Sequence, residues 1–401
     1  MSSWITIIGI GEDGLDGLSP RAREIINAAE VLVGGDRHLS MMPATDAESV
    51  SWGKDFDHGV KAIRAHEGRR VVVLASGDPM HFGVGATLSK RFGLDSLEII
   101  PVPGAFSLAA ARMGWSLPDV TCLTVHGRAL ASVNLHLRPG GRLLILSWDG
   151  TTPAKLAALL NDKGFGDSVL SVLEHMGAAD ENTISSTASD WSLETTADLN
   201  TIAVELVAGP DAVYWPRASG LPEEAFRHDN MITKREVRAV TLAQLAPMPG
   251  ETLWDVGAGS GTVSVEWLRL EPTARAIAIE RNTGRAANAR HNANELGVPR
   301  LDVIEADAPA AFDQIEGTPD AIFVGGGLSA ELLEVCWARL RSGGRMVANA
   351  VTLEGHAAVM AQRDAHGGRL SEISISREDA VGPRHGLRPM MTVMQLISEK
   401  T

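Results

Sequence analysis

The sequence predicts an α/β protein of two domains, the first bilobal and the second built on a single seven-stranded sheet. The chain has 401 residues, which is enough for two or three domains. Short apolar runs alternate with helical patterns along its whole length, which favours parallel sheets. A stretch rich in Gly and Pro interrupts the pattern after residue 208.

The first domain is predicted at 1–208, with a break between its lobes near 115–120. Ser19 before Pro20 is a good N-cap followed by a first-turn proline. Strands are predicted at Ile5–Ile10, Val71–Ala75, Leu97–Val102, Cys122–Val125, Arg142–Ser147, Val169–Leu173 and Thr201–Val207. Helices are predicted at Pro20–Ala29, Val84–Arg91 and Ala105–Met113.

Residues 209–230 are predicted to be a linker, and the second domain is predicted at 231–401. Its last two strands are expected to form an antiparallel pair that completes the seven-stranded sheet. The second-domain strands are predicted at Thr252–Val256, Ala276–Glu280, Leu301–Glu305, Ala321–Val324, Arg345–Ala350, Ser371–Ser376 and Thr392–Ile397.

The composition argues against several classes of protein. The formal net charge of −14 with a single tyrosine disfavours nucleic-acid binding, which usually needs a basic face. The two cysteines, Cys122 and Cys336, lack metal-ligand spacing, so no metal site or disulfide framework is expected. No apolar stretch reaches the roughly 20 residues of a membrane span. We therefore expect a cytoplasmic protein that acts on a small molecule, and a homo-oligomer.

A glycine-rich loop follows the first strand of the second domain. It runs Asp255, Val256, Gly257, Ala258, Gly259, Ser260, Gly261, and Glu280 lies 19 residues further on. Glycine lets backbone approach a ligand closely, and an acidic side chain after the next strand can accept hydrogen bonds from ribose hydroxyls. Nicotinamide and flavin enzymes use the same logic, so the loop alone predicts only a nucleotide-type cofactor.

The spacing Gly-x-Gly-x-Gly after an aspartate resembles the class I S-adenosylmethionine (SAM) methyltransferases, which have a Rossmann-like fold. With Met231–Arg238 and the Asp-Ala-Pro at 307–309, residues 228–398 resemble the precorrin C15-methyltransferase/decarboxylase family of cobalamin biosynthesis. The resemblance implies that Thr233, Asp255, the loop at 257–261, Glu280, Asp307 and Ala308 approach SAM. Asp307 alone would more often be a helix N-cap.

Three ordered elements of the first domain resemble the tetrapyrrole methylase family over residues 4–208. They are Gly9-Ile10-Gly11, then Gly77-Asp78-Pro79 with Phe82 and Gly83, then Pro103-Gly104 with Ser107. The resemblance implies a second SAM site that includes Gly9, Gly11, Gly77, Asp78, Pro79, Gly83 and Ser107. One departure is Glu12, where the family commonly has proline. An isolated Gly-Asp-Pro is more often an ordinary turn.

The two resemblances together imply a bifunctional corrin methyltransferase with one SAM per domain. The first domain would methylate C5 of precorrin-6B (precorrin-6Y). The second would methylate C15 and remove CO2 from the C12 acetate, giving precorrin-8x. Alternatives are RNA or protein methylation, or one active half joined to a non-catalytic SAM-binding module.

Methyl transfer from a sulfonium to an enamine-like carbon requires proximity and desolvation, so no catalytic triad is expected. Cationic side chains are needed for the substrate's carboxylates. For each candidate taken alone, a solvated surface charge is the commoner role. The candidates are Arg112, His126 and Arg128 in the first domain, and Arg235, Arg238, Arg384, His385 and Arg388 in the second.

Overall fold

The computed structural model of the chain describes residues 3–53 and 56–401. They form two compact units. The first unit runs to Arg128 and resumes over Arg138–Val213, and the second comprises Ala129–Leu137 and Tyr214–Thr401. The division falls inside the predicted linker. Most of that linker is not a free connection, because Leu221 and Phe226 are buried in the core of the second unit.

The first lobe of the first unit is a five-stranded parallel sheet in the order β3-β2-β4-β1-β5. Alternate residues of its Val- and Ile-rich inner strands enter two separate cores, as expected when helices cover both faces. Its strands are β1 (Ile5–Ile10), β2 (Val31–Gly34), β3 (Glu48–Ser51), β4 (Val71–Ser76) and β5 (Leu97–Ile100). Its helices are α1 (Pro20–Asn27), α2 (Asp36–Ser40), α3 (Phe56–Ala65), α4 (Val84–Phe92) and α5 (Ala105–Met113).

The second lobe has a mixed sheet, which differs from the parallel sheet that the sequence predicts. The order is β6-β7-β10-β8-β9, and only the β6–β7 pair is parallel. The seven residues between β8 and β9 are too few for a crossover, so these strands pair as antiparallel neighbours. The elements are β6 (Thr121–Thr124), β7 (Arg142–Leu146), α6 (Thr152–Asp162), β8 (Val169–Glu174), β9 (Asn182–Thr187) and β10 (Asn200–Glu205).

The second unit contains the predicted seven-stranded sheet, in the order β13-β12-β11-β14-β15-β19-β16. The first five strands are parallel, and β19 and β16 form the expected antiparallel pair. The strands are β11 (Thr252–Val256), β12 (Arg275–Ile279), β13 (Asp302–Ile304), β14 (Ala321–Val324), β15 (Arg345–Ala350), β16 (Arg369–Ile373), β17 (Ser376–Val381), β18 (Arg384–Pro389) and β19 (Val393–Glu399). The helices are α7 (Arg235–Leu245), α8 (Thr262–Leu270), α9 (Thr283–Glu295), α10 (Ala330–Arg339) and α11 (Leu353–His366).

Two features of the second unit are absent from the sequence-based prediction. The segment between the last two predicted strands contains a two-stranded hairpin of β17 and β18. A short 3-10 turn at Leu130–His136 belongs to this unit although it precedes β7 in the chain. A side chain on Gly297, at the end of α9, would overlap the backbone of Leu135, so glycine is needed there.

No helix within residues 3–53 and 56–401 is long and apolar enough to cross a bilayer.

Candidate cofactor sites

A cavity of about 660 Å³ lies in the second unit at the carboxyl ends of the parallel strands. This edge is where open α/β sheets bind ligands. Eight of the residues predicted to approach a cofactor line it: Thr233, Gly257, Ala258, Gly259, Ser260, Glu280, Asp307 and Ala308. The structure therefore brings together residues that are up to 75 positions apart in the sequence.

Glu280 accepts one hydrogen bond from the glycine loop and a second from the residue that begins the turn into α9. The amide of Gly259 donates to Oε2 at 2.8 Å, and the amide of Asn282 donates to Oε1 at 2.8 Å. Gly257 has φ +68°, and a side chain there would come within 2.7 Å of the backbone oxygen of Gly326. The Oγ of Ser260 is buried and has no hydrogen-bond partner within the described part of the chain. The loop thus presents backbone and one unpaired hydroxyl beside the cavity.

Asp255 does not line the cavity, which corrects the prediction that it contacts the cofactor. It is completely buried, and its Oδ2 accepts hydrogen bonds from the backbone amide and the hydroxyl of Ser264, at 3.1 and 2.6 Å. Burial raises the pKa of Asp255 to about 6, and the nearby Glu280 carboxylate contributes to the rise. Asp255 therefore braces the start of α8 from beneath the loop.

Gly261 is likewise outside the cavity lining. Its φ is +72°, and a side chain there would approach the Cβ of Ala289 to 2.8 Å. The third glycine of the loop is needed for close packing of α8 on α9 and not for ligand contact.

The predicted carboxylate-binding arginines of the second unit do not line the cavity. Arg238 is wrong as a candidate because it is completely buried: its Nε donates to Oε1 of Glu266 at 2.7 Å, and its other nitrogens donate to the carbonyls of Thr233 and Leu221. Arg235 is exposed outside the cavity. Arg384, His385 and Arg388 lie on the β17–β18 hairpin, where His385 pairs with Glu378 and Arg388 with Asp379.

Three cations that the sequence analysis missed line the cavity instead: Lys234, Arg281 and Arg285. Arg285 is paired with Asp229 at 2.8 Å, and Arg281 lies 3.9 Å from Asp307. Two of them could have been identified from the sequence, because each is adjacent to a predicted site residue: Lys234 directly follows Thr233, and Arg281 directly follows Glu280.

The three predicted glycine elements of the first unit meet at the carboxyl ends of β1, β4 and β5. The amide of Gly77 donates to the carbonyl of Ile10 at 3.0 Å. Gly77 has φ +54°, and a side chain there would approach the Cα of Gly104 to 2.9 Å, while one on Gly9 would overlap the carbonyl of Gly77. These loops therefore pack backbone against backbone.

Most of the other predicted residues of this site form or pack against the turns that connect the strands to the helices. Asp78 accepts a hydrogen bond from the amide of Met80 at 2.9 Å, as in a tight turn. Pro79 is buried, and a side chain on Gly83 would come within 2.6 Å of its carbonyl oxygen. A side chain on Gly11 would meet the carboxylate of Asp13. Ser107 is exposed on α5.

Arg112 is occupied by Glu181 in two hydrogen bonds of 2.7 and 2.8 Å, which corrects its prediction as a free carboxylate binder. This pair lowers the pKa of Glu181 to about 2. Arg128 lies over the ring of Phe82 at 5.4 Å, and His126 stacks on the exposed Trp148 at 5.4 Å. Phe82 has φ +57° and is half exposed. In the sequence analysis, Phe82 is named only as part of the Gly-Asp-Pro element and Trp148 is not named, although both rings are exposed.

Comparisons with known proteins match both halves. Residues 5–191 match the family described as tetrapyrrole (corrin/porphyrin) methylases, and residues 224–400 match one described as a precorrin methyltransferase domain. A protein of Sinorhizobium sp. named precorrin-6Y C(5,15)-methyltransferase [decarboxylating] is 45% identical over 397 residues, which cover 98% of this chain and 96% of that relative.

Two shorter relatives match part of the chain. The cobalt-precorrin-7 C(5)-methyltransferase of Salmonella typhimurium is 31% identical over 178 residues, covering 44% of this chain and 87% of that protein. The probable cobalt-precorrin-6B C(15)-methyltransferase (decarboxylating) of Saccharolobus solfataricus is 33% identical over 141 residues, covering 34% of this chain and 71% of that protein.

Proposed function

Because the chain belongs to the family of decarboxylating precorrin-6Y C(5,15)-methyltransferases, we propose that its two units divide that reaction between two sites. The activity is SAM-dependent C-methylation with loss of CO2 in cobalamin biosynthesis. The first unit methylates C5 of precorrin-6B (precorrin-6Y), and the second methylates C15 and releases the C12 acetate carboxyl as CO2, giving precorrin-8x. The observation that carries this division is a separate glycine-built edge in each unit.

Each unit takes one SAM, which supplies an electrophilic methyl group when bound. The second-unit residues fit it, because Gly257, Ser260 and Glu280 line one cavity, and the buried Ser260 hydroxyl has no hydrogen-bond partner within residues 3–53 and 56–401. Thr233, Ala258, Gly259, Asp307 and Ala308 complete that site. The corresponding site in the first unit is formed by Gly9, Gly11, Gly77, Asp78, Gly83 and Ser107. Pro79 is buried and packs against Gly83.

The second unit also provides for the decarboxylation. Lys234, Arg281 and Arg285 offer positive charge to the substrate carboxylates that remain, as charge-assisted hydrogen bonds require. The lining also has an apolar part that includes Ile373, Ile375 and Val393. A carboxylate held there loses its water, which favours its departure as neutral CO2.

The proposal extends to partners and location. The substrate is a polycarboxylate tetrapyrrole, and the net charge of −14 disfavours nucleic acid as a partner. The cysteines are free, in keeping with a reduced cytoplasm. A homo-oligomer is proposed because Val381 and Leu387 are exposed on the β17–β18 hairpin. Sedimentation of the whole chain tests this, and a monomer at micromolar concentration would contradict it.

Mass spectrometry of the products tests the division of labour. The purified chain, incubated with SAM and precorrin-6B, is expected to add two methyl groups and remove one CO2. One methyl group with CO2 loss would mean that the first unit does not methylate. One methyl group without CO2 loss would contradict the assignment of decarboxylation to the second unit.

A further inference from the structure

A cluster of charged and polar side chains lies against the glycine loops of the first unit. None of these side chains is part of the proposed SAM site. Glu12, the residue that stands where the tetrapyrrole methylase family commonly has proline, contacts Arg37 through its Oε1. Its Oε2 lies 3.6 Å from Nδ1 of His175. Arg37 and His38 both hydrogen-bond to the hydroxyl of Ser76, at 2.9 and 3.0 Å. The cluster therefore links the first lobe to the loop after β8 in the second lobe.

This cluster adjoins the proposed SAM site. Ser76 immediately precedes Gly77, and Glu12 immediately follows Gly11. The amide of Gly77 bonds to Ile10, so the two loops that carry Ser76 and Glu12 are joined at their bases. The side chain of His175 is about one third exposed, at 31%, so it remains accessible to a ligand.

His175 is held in a costly conformation by several bonds. Its φ is +48°, which is uncommon for a residue other than glycine and tends to occur at functional sites. Its amide donates to Leu199 at 3.2 Å, and its carbonyl accepts from Ala178 at 2.9 Å. The amide of Gly177 donates to Glu181 at 2.6 Å, and Arg112 holds Glu181 in turn. The loop thus presents the imidazole to Glu12 in a fixed position.

The methylation at C5 releases a proton that must be accepted. The electron pair of the substrate's enamine forms the new C–C bond. The S–CH3 bond of SAM breaks with its electron pair kept by sulfur, which leaves as the neutral thioether S-adenosylhomocysteine. The methylated carbon then carries its original hydrogen as well, and the macrocycle has one positive charge. When that C–H bond breaks, its electron pair returns to the conjugated system, and a base takes the proton.

We propose that Nε2 of His175 takes this proton and that Glu12 is a positioning residue that orients the ring through Nδ1. The proposal rests on the assignment of C5 methylation to the first unit. A carboxylate beside one imidazole nitrogen fixes which nitrogen faces the substrate. Arg37 holds the other oxygen of Glu12, so the carboxylate cannot turn away. His38 is a poor competitor, because burial and the neighbouring Arg37 lower its pKa to about 4.

His175→Asn tests the base while keeping the loop, since asparagine tolerates positive φ. In single turnover with SAM and precorrin-6B, rapid-quench mass spectrometry follows methyl gain, and absorbance follows the return of conjugation. We expect the methyl to arrive at C5 at the normal rate and conjugation to return roughly 100-fold more slowly, the usual scale for losing a general base. C15 methylation and CO2 loss report that the second unit is folded, and methyl gain at C5 reports that the first unit is folded.

The matched control is His58→Asn, on the exposed face of α3, which is expected to leave both signals unchanged. Normal return of conjugation in His175→Asn would overturn the proposal. So would an equal fall in methyl gain and in return of conjugation, because His175 would then serve only to join the lobes. A wild-type chain that adds no methyl at C5 would instead overturn the proposed function.

Chemical rescue separates a base from a structural contact. His175→Gly keeps the positive φ and leaves room for an added imidazole. A series of substituted imidazoles is expected to restore the return of conjugation, with rates that rise with the basicity of the additive. Equal rescue by all of them, or none, would contradict a proton-accepting role.

Glu12 is tested by two variants. Glu12→Gln keeps the shape but removes the charge that orients the ring, and is expected to slow the return of conjugation roughly fivefold, the upper end for a partly exposed ion pair. Glu12→Asp is expected to recover part of the rate. If both variants behave like the wild type, Glu12 has no positioning role.

Discussion

The glycine loop of the second unit is fixed by buried carboxylates, whereas the loops of the first unit are fixed by glycine packed on glycine. In the second unit, Glu280 accepts hydrogen bonds from the amides of Gly259 in the loop and Asn282 after β12, and Asp255 accepts two from Ser264 in the following helix. In the first unit, Gly9, Gly77 and Gly104 approach each other directly, and the charged residues beside them are partly exposed. The conformation of the second-unit loop therefore depends on buried carboxylates, and the conformation of the first-unit loops depends on the absence of side chains.

The largest expected effect concerns the buried ion pair between Arg238 and Glu266. Arg238→Met leaves the Glu266 carboxylate buried without its cation, which typically costs about 3–5 kcal/mol in free energy of unfolding. The control, Arg91→Met, breaks the exposed pair with Asp57 in the first unit and is expected to cost at most about 1 kcal/mol. Urea denaturation measures both. Equal losses in the free energy of unfolding would mean that burial does not make the Arg238–Glu266 pair more important than the exposed Arg91–Asp57 pair.

The pH dependence of stability tests the bracing carboxylate of the second unit. The pKa of Asp255 is raised from 3.8 to about 6 in the folded chain, so the folded state binds more protons than the unfolded state between these values. The free energy of unfolding should therefore fall as pH rises from about 4 to 7, by up to about 3 kcal/mol. The measurement is urea unfolding of wild type and Asp255→Asn at several pH values. A constant difference between them would contradict the prediction.

Gly257 tests the loop itself. Gly257→Ala adds a side chain at positive φ against the backbone of Gly326, and displacing the loop should slow C15 methylation and CO2 release by roughly 100-fold. Gly250→Ala is the control, because Gly250 has φ +79° but open space around it. If the control loses as much activity, strain at positive φ explains the effect and not the approach to Gly326.

Gly77 makes the same comparison in the first unit. Gly77→Ala is expected to slow C5 methylation by roughly 100-fold and to spare the C15 reaction, since the added side chain meets Gly104. Gly140→Ala, with φ +68° and no atom within 4 Å, is the control. Loss of both methylations in Gly77→Ala would show that the two sites do not act separately.

The smallest expected effect compares two neighbouring cations. Lys234→Gln removes a charge from the cavity lining and should raise the KM for precorrin-6B in the C15 reaction about tenfold, the scale of one charged hydrogen bond. Arg235→Gln changes an exposed neighbour outside the lining and should leave KM unchanged. A larger effect of Arg235→Gln would place the substrate outside the cavity.

Most strands with continuous apolar character could be predicted from the sequence, and polar strands could not. Val31–Gly34 is the exception: it is apolar and fully buried, but its four residues are too few to show a pattern. Ile5–Ile10, Thr252–Val256, Ala321–Val324 and Arg345–Ala350 agree with the structure at both ends. The strand Asn182–Thr187 was missed because it is a polar edge strand, and Glu48–Ser51 was missed for the same reason. Periodicity reports burial, and these two strands are poorly buried.

Site residues could be predicted where the glycine spacing indicates the backbone conformation. Charged site residues were harder to predict, because their burial depends on which oppositely charged or polar side chains they contact in the folded chain. The loop at 257–259 was found because only glycine permits its conformation. The burial of Arg238 depends on Glu266, 28 residues later, and that of Asp255 on Ser264. A sequence without its folded partners does not show which of several arginines is enclosed, so Lys234 was overlooked beside Arg235 and Arg238.

The nine residues Ala129–Leu137 have a consequence for how the chain can be divided. The polypeptide passes between the two units three times, after Arg128, after Leu137 and after Val213. A single cut between Val213 and Tyr214 does not separate complete halves. A fragment that starts at Tyr214 lacks Leu135 opposite Gly297 and Asn134, whose amide bonds to the carbonyl of Asn294. Expression of the second half on its own therefore leaves the end of α9 uncovered, and supplying residues 129–137 as a separate peptide is the way to restore it.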